Sequence, residues 1–110
     1  MADCSILMEN IDGDGDMMKT ILGMFIEDYQ DAHNTFSELI NLKNWVELSR
    51  ECHGLKGVLM GIGPTELSDV LLKIEKRWAD GTQAAPEDIQ ALLTMVPAYL
   101  ADIKTTVEAL

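Results

Sequence analysis

The chain has 110 residues, a length suited to one domain, and its 47% hydrophobic and 25% charged residues are an ordinary globular balance that argues against disorder. Eight basic side chains against 19 acidic ones give a net charge of −11, which disfavours nucleic acid as a partner, because that binding needs cations to displace condensed counterions. No apolar run approaches the roughly 20 residues of a membrane span, and the start Met1-Ala2-Asp3-Cys4 lacks the basic and apolar stretches of a signal peptide.

Aromatic residues are only 5% of the chain and methionines number 7, a balance that favours helix over sheet. Ser5 to Asn10 is a short apolar segment of one or two helical turns, broken by Asp12-Gly13-Asp14-Gly15-Asp16. That acidic stretch suggests a calcium loop, but the final bidentate carboxylate is missing: Gly23 or Ile21 stands there, depending on the start. The expected role is a turn that ends with Asp16 as the N-cap of the next helix. Met18, Ile21, Leu22, Phe25, Tyr29, Ala32, Phe36, Leu39 and Ile40 then recur at helical spacing. They predict one long helix over 16–42. Lys43-Asn44 is a tight connection, with Asn44 as an N-cap.

A second long helix is predicted over 44–60, with Trp45, Leu48, Cys52, Leu55 and Leu59 on its core stripe. Gly61-Ile62-Gly63-Pro64 ends it, and Pro64 is placed to open a third helix over 64–80 carrying Leu67, Val70, Leu71, Ile74 and Trp78. Pro86 opens the last helix, 86–109, whose apolar face is Ile89, Leu92, Leu93, Val96, Leu100, Ile103 and Val107. Pro97 should kink it. Short connections make neighbouring helices antiparallel. The expected fold is therefore all-α: a single domain over 1–110, an antiparallel up-down four-helix bundle with a short N-terminal cap over 1–15. Cys4 and Cys52 have no metal-ligand spacing and are too few for a disulfide framework. They read as free thiols in a reducing, cytoplasmic setting.

Charge divides the chain unevenly. Residues 1–40 carry 9 acidic and 1 basic side chain, residues 41–80 carry 6 of each, and residues 81–110 carry 4 and 1. The middle third is the least acidic region, suited to an anion or an acidic partner.

That third also holds an unusual helix. Gly54, Gly57 and Gly61 fall within eight residues, and each interior glycine costs roughly 1 kcal/mol relative to alanine. On a helical wheel the core stripe centres about 130° from His53, so His53 faces solvent. Ser49, Arg50, Lys56, Gly57 and Met60 share its face, with Val46 further back and Gly54 and Gly61 to one side. A neutral imidazole is a competent nucleophile. Attack on an electrophilic phosphorus would give a phosphoimidazole, whose charge Lys56 at i+3 can offset. Gly57 at i+4 leaves room for the phosphoryl group and an approaching protein. Val46 and Met60 add apolar docking surface. No Gly-rich phosphate loop or Walker lysine is present, so ATP is not the expected donor. His33 has no glycine or lysine on its face and reads as an ordinary surface residue.

His53-Gly54-Leu55-Lys56-Gly57, then Ile62-Gly63, Leu67 and Ile74-Glu75, resemble the histidine-containing phosphotransfer (HPt) domain family, whose signature is H-x-L-K-G with a glycine ten residues after the histidine. Asp16 with Leu22 and Phe25 is similar to that family's first long helix, and Asn44-Trp45 to its common Asp-Trp helix start. Cys52, Val58-Leu59-Met60 and Pro64 depart from the usual smaller residues, which bears on docking detail. The resemblance implies a phosphorelay intermediate of two-component signalling, a carrier and not an enzyme in its own right. His53 would take a phosphoryl group from a receiver-domain aspartyl phosphate and pass it to another receiver aspartate, with Lys56 stabilising the phosphohistidine and Gly57 admitting the partner. Partners would be response-regulator receivers, with a hybrid sensor kinase as a further candidate, Mg²⁺ on the receiver and no cofactor on this chain. Val46, Ser49, Arg50, Gly54, Met60 and Gly61 would dock the partner. The alternatives are a non-catalytic interaction or dimerisation module on the same scaffold, and a ligand- or metal-binding bundle, which lacks the Glu-x-x-His pairs such sites use.

Overall fold

The computed structural model describes residues 2–110; Met1, the first residue of the expected cap, lies outside the described residues. All regular structure among them is helical: α1 (Ser5–Asn10), α2 (Gly15–Tyr29), α3 (Ala32–Asn41), α4 (Trp45–Ile62), α5 (Glu66–Ala79) and α6 (Pro86–Glu108).

The first long helix departs from expectation, because 16–42 is divided between α2 and α3. The break falls at Gln30 and Asp31, where Asp31 leaves helical geometry at φ −102° and ψ 11° while Gln30 stays right-handed. The apolar spacing runs unbroken across this step, with Tyr29 half-buried and Ala32 buried on either side, so periodicity alone does not reveal it. The cap of α2 also moves. Asp14, not Asp16, is the N-cap, and its Oδ1 accepts from the Asp16 and Met17 amides at 3.0 and 3.1 Å. The chain reaches that cap through left-handed Asp12 (φ 53°) and Gly13 (φ 73°), conformations that short polar residues and glycine tolerate.

Asn44 caps α4 as expected, its side chain accepting from the Glu47 amide at 3.3 Å. Helix α4 runs two residues past the expected end, through Gly61 and Ile62. Pro64 lies outside α5, whose N-cap is Thr65; the Thr65 amide donates to the Ser68 hydroxyl at 3.0 Å. Pro86 does occupy the first turn of α6, and α6 continues through Pro97 as one helix.

Packing joins α4 to α5, α5 to α6, and both α2 and α3 to α6; α3 and α1 also rest on α4. Met18, Leu22, Phe25 and Phe36 share one continuous core with Leu48, Cys52, Leu55 and Leu59 of α4 and with Leu71, Ile74, Leu92, Val96 and Ile103. Trp78, at the end of the apolar series on α5, is 37% exposed, and on α6 Tyr99 takes the buried place beside half-buried Leu100. The Tyr99 ring stands edge-on to Phe25 at 5.7 Å between centroids, and Phe25 in turn stacks on Tyr29 at 4.9 Å.

Gly63 has a packing reason of its own. A Cβ there would run into the main-chain carbonyl of Asp3, so only glycine lets the N-terminal segment lie against the α4–α5 turn. Asp3 in turn fixes the start of α1, its Oδ1 accepting from the Ser5 amide at 3.0 Å. That hydrogen bond holds the Asp3 carboxyl below its usual range.

Candidate functional site

Helix α4 buries one face and leaves the opposite one bare. Leu48, Cys52, Leu55 and Leu59 are the buried stripe, and His53, one residue after Cys52, turns its ring outward with 75% of the side chain accessible. The 100° step between neighbouring helical residues produces this separation. His33, in α3, is exposed without a hydrogen bond or ion pair of its own among the described residues.

Helix α5 supplies the ring's partner. Glu75 follows Ile74, a buried core residue, and so stands at the edge of the α4–α5 seam. Its Oε2 lies 3.2 Å from His53 Nδ1 and accepts from Lys56 Nζ at 3.1 Å. An ionised carboxylate only accepts, so the contact places a proton on Nδ1 and leaves Nε2 with the free lone pair. Lys56 is 22% accessible and Glu75 16%. The pair is thus shielded more than an ordinary surface ion pair, and the ammonium sits on the Nδ1 flank of the imidazole. The other carboxylate oxygen, Glu75 Oε1, is buried with no hydrogen-bond partner among the described residues.

A shallow groove continues from this point between α4 and α5, lined by Ser49, Arg50, His53, Gly54, Glu75, Trp78 and Ala79. Arg50 Nη1 meets Glu47 Oε2 at 3.3 Å across an exposed i,i+3 pair. Gly54, Gly57 and Gly61 form an open strip, and a Cβ added at any of them would meet nothing within 4 Å. Packing inside the chain therefore does not demand glycine there. Val46 and Met60 are exposed apolar side chains on α4.

The structure therefore brings His53, Lys56, Ser49, Arg50 and Gly54 into one neighbourhood, with Gly57, Met60 and Gly61 in the following turns and Val46 two turns before. Sequence reasoning used Glu75 only as part of the family resemblance, with no role at the imidazole. The available signal was the position of Glu75 one residue after core-facing Ile74, at the rim of the stripe; which residue of α4 it would face depends on the register of two helices. No cluster of three or more His, Cys, Asp or Glu side chains able to hold a metal occurs among the described residues. No helix among them is long and apolar enough to cross a membrane.

The family model described as "Hpt domain" matches residues 20–109. No curated protein and no solved structure gives a match to this chain. The match spans α4 and α5 whole, with His53, Lys56, Gly57 and Glu75 inside it, and on that coverage the chain belongs to the Hpt domain family.

Proposed function

We propose that this protein is a phosphorelay intermediate in which His53 accepts a phosphoryl group from a receiver-domain aspartyl phosphate and passes it to another receiver aspartate. Membership of the Hpt family implies phosphotransfer in two-component signalling by a carrier. The assignment of residues to that task rests on one observation: an outward imidazole whose Nδ1 is engaged by Glu75 and whose Nε2 is free.

The chemistry follows from that arrangement. The Nε2 lone pair attacks phosphorus, the Nε2–P bond forms as the aspartyl O–P bond breaks, and the carboxylate leaves with the electron pair. The proton on Nδ1 stays in place, so the ring becomes cationic and Glu75 offsets that charge. A cationic ring is also the better leaving group when the next aspartate attacks. Lys56 neutralises Glu75 and, without leaving it, offers its remaining N–H donors toward the phosphoryl oxygens. Gly57, Gly54 and Gly61 keep the approach open, and Val46, Ser49, Arg50 and Met60 border the docking face. Receiver domains are the proposed partners, one on a hybrid sensor kinase among them; Mg²⁺ belongs to the receiver, and neither ATP nor nucleic acid is a proposed ligand. We read residues 1–110 as a single cytoplasmic domain, with α2–α3, α4, α5 and α6 as the four antiparallel arms of a bundle and α1 as its cap.

The test is incubation with a phosphorylated receiver domain. Acid-labile, base-stable label on the wild type and none on His53→Gln is the expected result. Equal labelling of both ends the proposal, and an unlabelled wild type favours a docking module that no longer carries phosphate.

A further inference from the structure

We infer that Arg50 is the resting protein's held-back cation, parked on Glu47 and released onto the phosphoryl group once His53 is modified. This rests on His53 being the acceptor. It assigns a second cation to the phosphoryl group, beside the Lys56 ammonium that stays bound to Glu75.

Three observations carry it. First, Lys56 is committed to Glu75, the carboxylate that meets the ring at Nδ1. Drawing Lys56 fully away would leave a largely buried carboxylate without its cation, a costly state. Second, a helical side chain covers the turn before its own Cα. The imidazole therefore leans toward Ser49 and Arg50 and away from Gly57, and the groove that holds it is lined by Ser49 and Arg50 but not by Lys56. Third, Arg50 is cheaply held. Its side chain is 72% accessible and its partner Glu47 lies one turn back in an exposed pair, the class of contact that contributes little.

Charge decides the direction of exchange. A phosphoryl group brings about two negative charges and three acceptor oxygens against the single charge of Glu47. Residues three apart on a helix are neighbours, so the guanidinium reaches the group by rotating about its own side-chain bonds with no movement of α4. Its planar fork suits two phosphoryl oxygens at once. Glu47 is then the competitor that keeps Arg50 off the imidazole at rest.

The test loads the intact protein chemically with phosphoramidate, whose P–N bond breaks as Nε2–P forms and ammonia leaves, and follows phosphohistidine by phosphorus NMR. At low salt, Arg50→Ala is expected to load about threefold more slowly than wild type, a gap that closes at high salt as an exposed charge contact should. Arg50→Lys should fall between them. Glu47→Gln should load faster, and that gain should vanish in the Glu47→Gln/Arg50→Ala double variant, a coupling that a merely structural role would not create. The Arg50 side-chain N–H resonance should also move on loading. Wild-type loading in Arg50→Ala, or a Glu47→Gln gain that survives without Arg50, overturns the inference and leaves the role of His53 standing. Absence of phosphohistidine in every variant, wild type included, overturns both.

Discussion

Glu75 on α5 and His53 on α4, 22 positions apart in sequence, meet at 3.2 Å through Oε2 and Nδ1. The carboxylate thereby fixes which ring nitrogen is free to react, and the same oxygen holds Lys56. Removing it should release the tautomer. Nitrogen NMR of the imidazole is expected to show the Nδ1–H form in the wild type and a mixed or Nε2–H form in Glu75→Ala, with slower phosphoryl transfer from the same receiver. Glu75→Gln retains an acceptor for Nδ1–H but not the charge, so its tautomer should stay near wild type while transfer slows. A tautomer ratio identical in wild type and Glu75→Ala would remove the orienting role.

Glycines on α4 should behave differently from Gly63, which follows the helix's last residue. Gly54, Gly57 and Gly61 face open space, so alanine at each should stabilise by up to about 1 kcal/mol through helix propensity. Gly57→Leu should keep its helical circular dichroism and lose transfer, since its side chain starts into open space on the face where a partner approaches. Gly63→Ala must displace the Asp3 carbonyl and should cost about 1–3 kcal/mol in urea unfolding. Equal effects at Gly57 and Gly63 would contradict this division.

Tyr99 carries a buried hydroxyl with no hydrogen-bond partner among the described residues. Tyr99→Phe should therefore stabilise, by about 1 kcal/mol, since it deletes an unsatisfied polar group and keeps the ring against Phe25. Loss of stability instead would show that the hydroxyl is bonded in solution.

Alkaline pH should weaken the fold from about pH 9. Burial, with Glu75 and Glu51 nearby, pushes the Cys52 thiol up to about 12 from its ordinary 9.0. Burial, then Cys4, Asp3 and Asp102, raises the Tyr99 phenol well above its ordinary 10.0. Between these ordinary values and the raised ones the unfolded chain gives up protons that the folded chain retains. Stability is thus fully present below pH 9 and falls as pH rises. Denaturant midpoints measured from pH 7 to 11 should decline, less steeply in Tyr99→Phe. Native Cys52 should also resist alkylation that the unfolded chain undergoes at once.

Much of this was legible in the sequence because it depends on periodicity along one helix. The spacing of Leu48, Cys52, Leu55 and Leu59 sets the buried stripe, and the outward direction of His53 follows from it by rotation alone. Relationships between helices were not legible. Glu75 faces His53 because α4 and α5 settle in a particular register, which side-chain volumes across the core decide. Trp78 continues the apolar pattern of α5 yet lies in its last turns, where it lines the groove beside His53. The Gln30–Asp31 step escaped notice because neither glycine nor proline marks it. Asp14 outcompeted Asp16 as a cap because Asp12 and Gly13 adopt left-handed geometry, a property of the turn as a whole.

The contact between Gly63 and Asp3 joins positions 60 residues apart. Closing so long a loop carries a large entropic cost, so the N-terminal turn should dock late, onto a helical framework already assembled. It acts as a latch over the corner where α4 hands the chain to α5. Hydrogen exchange there should report the latch lifting well before the helix that presents the imidazole begins to open.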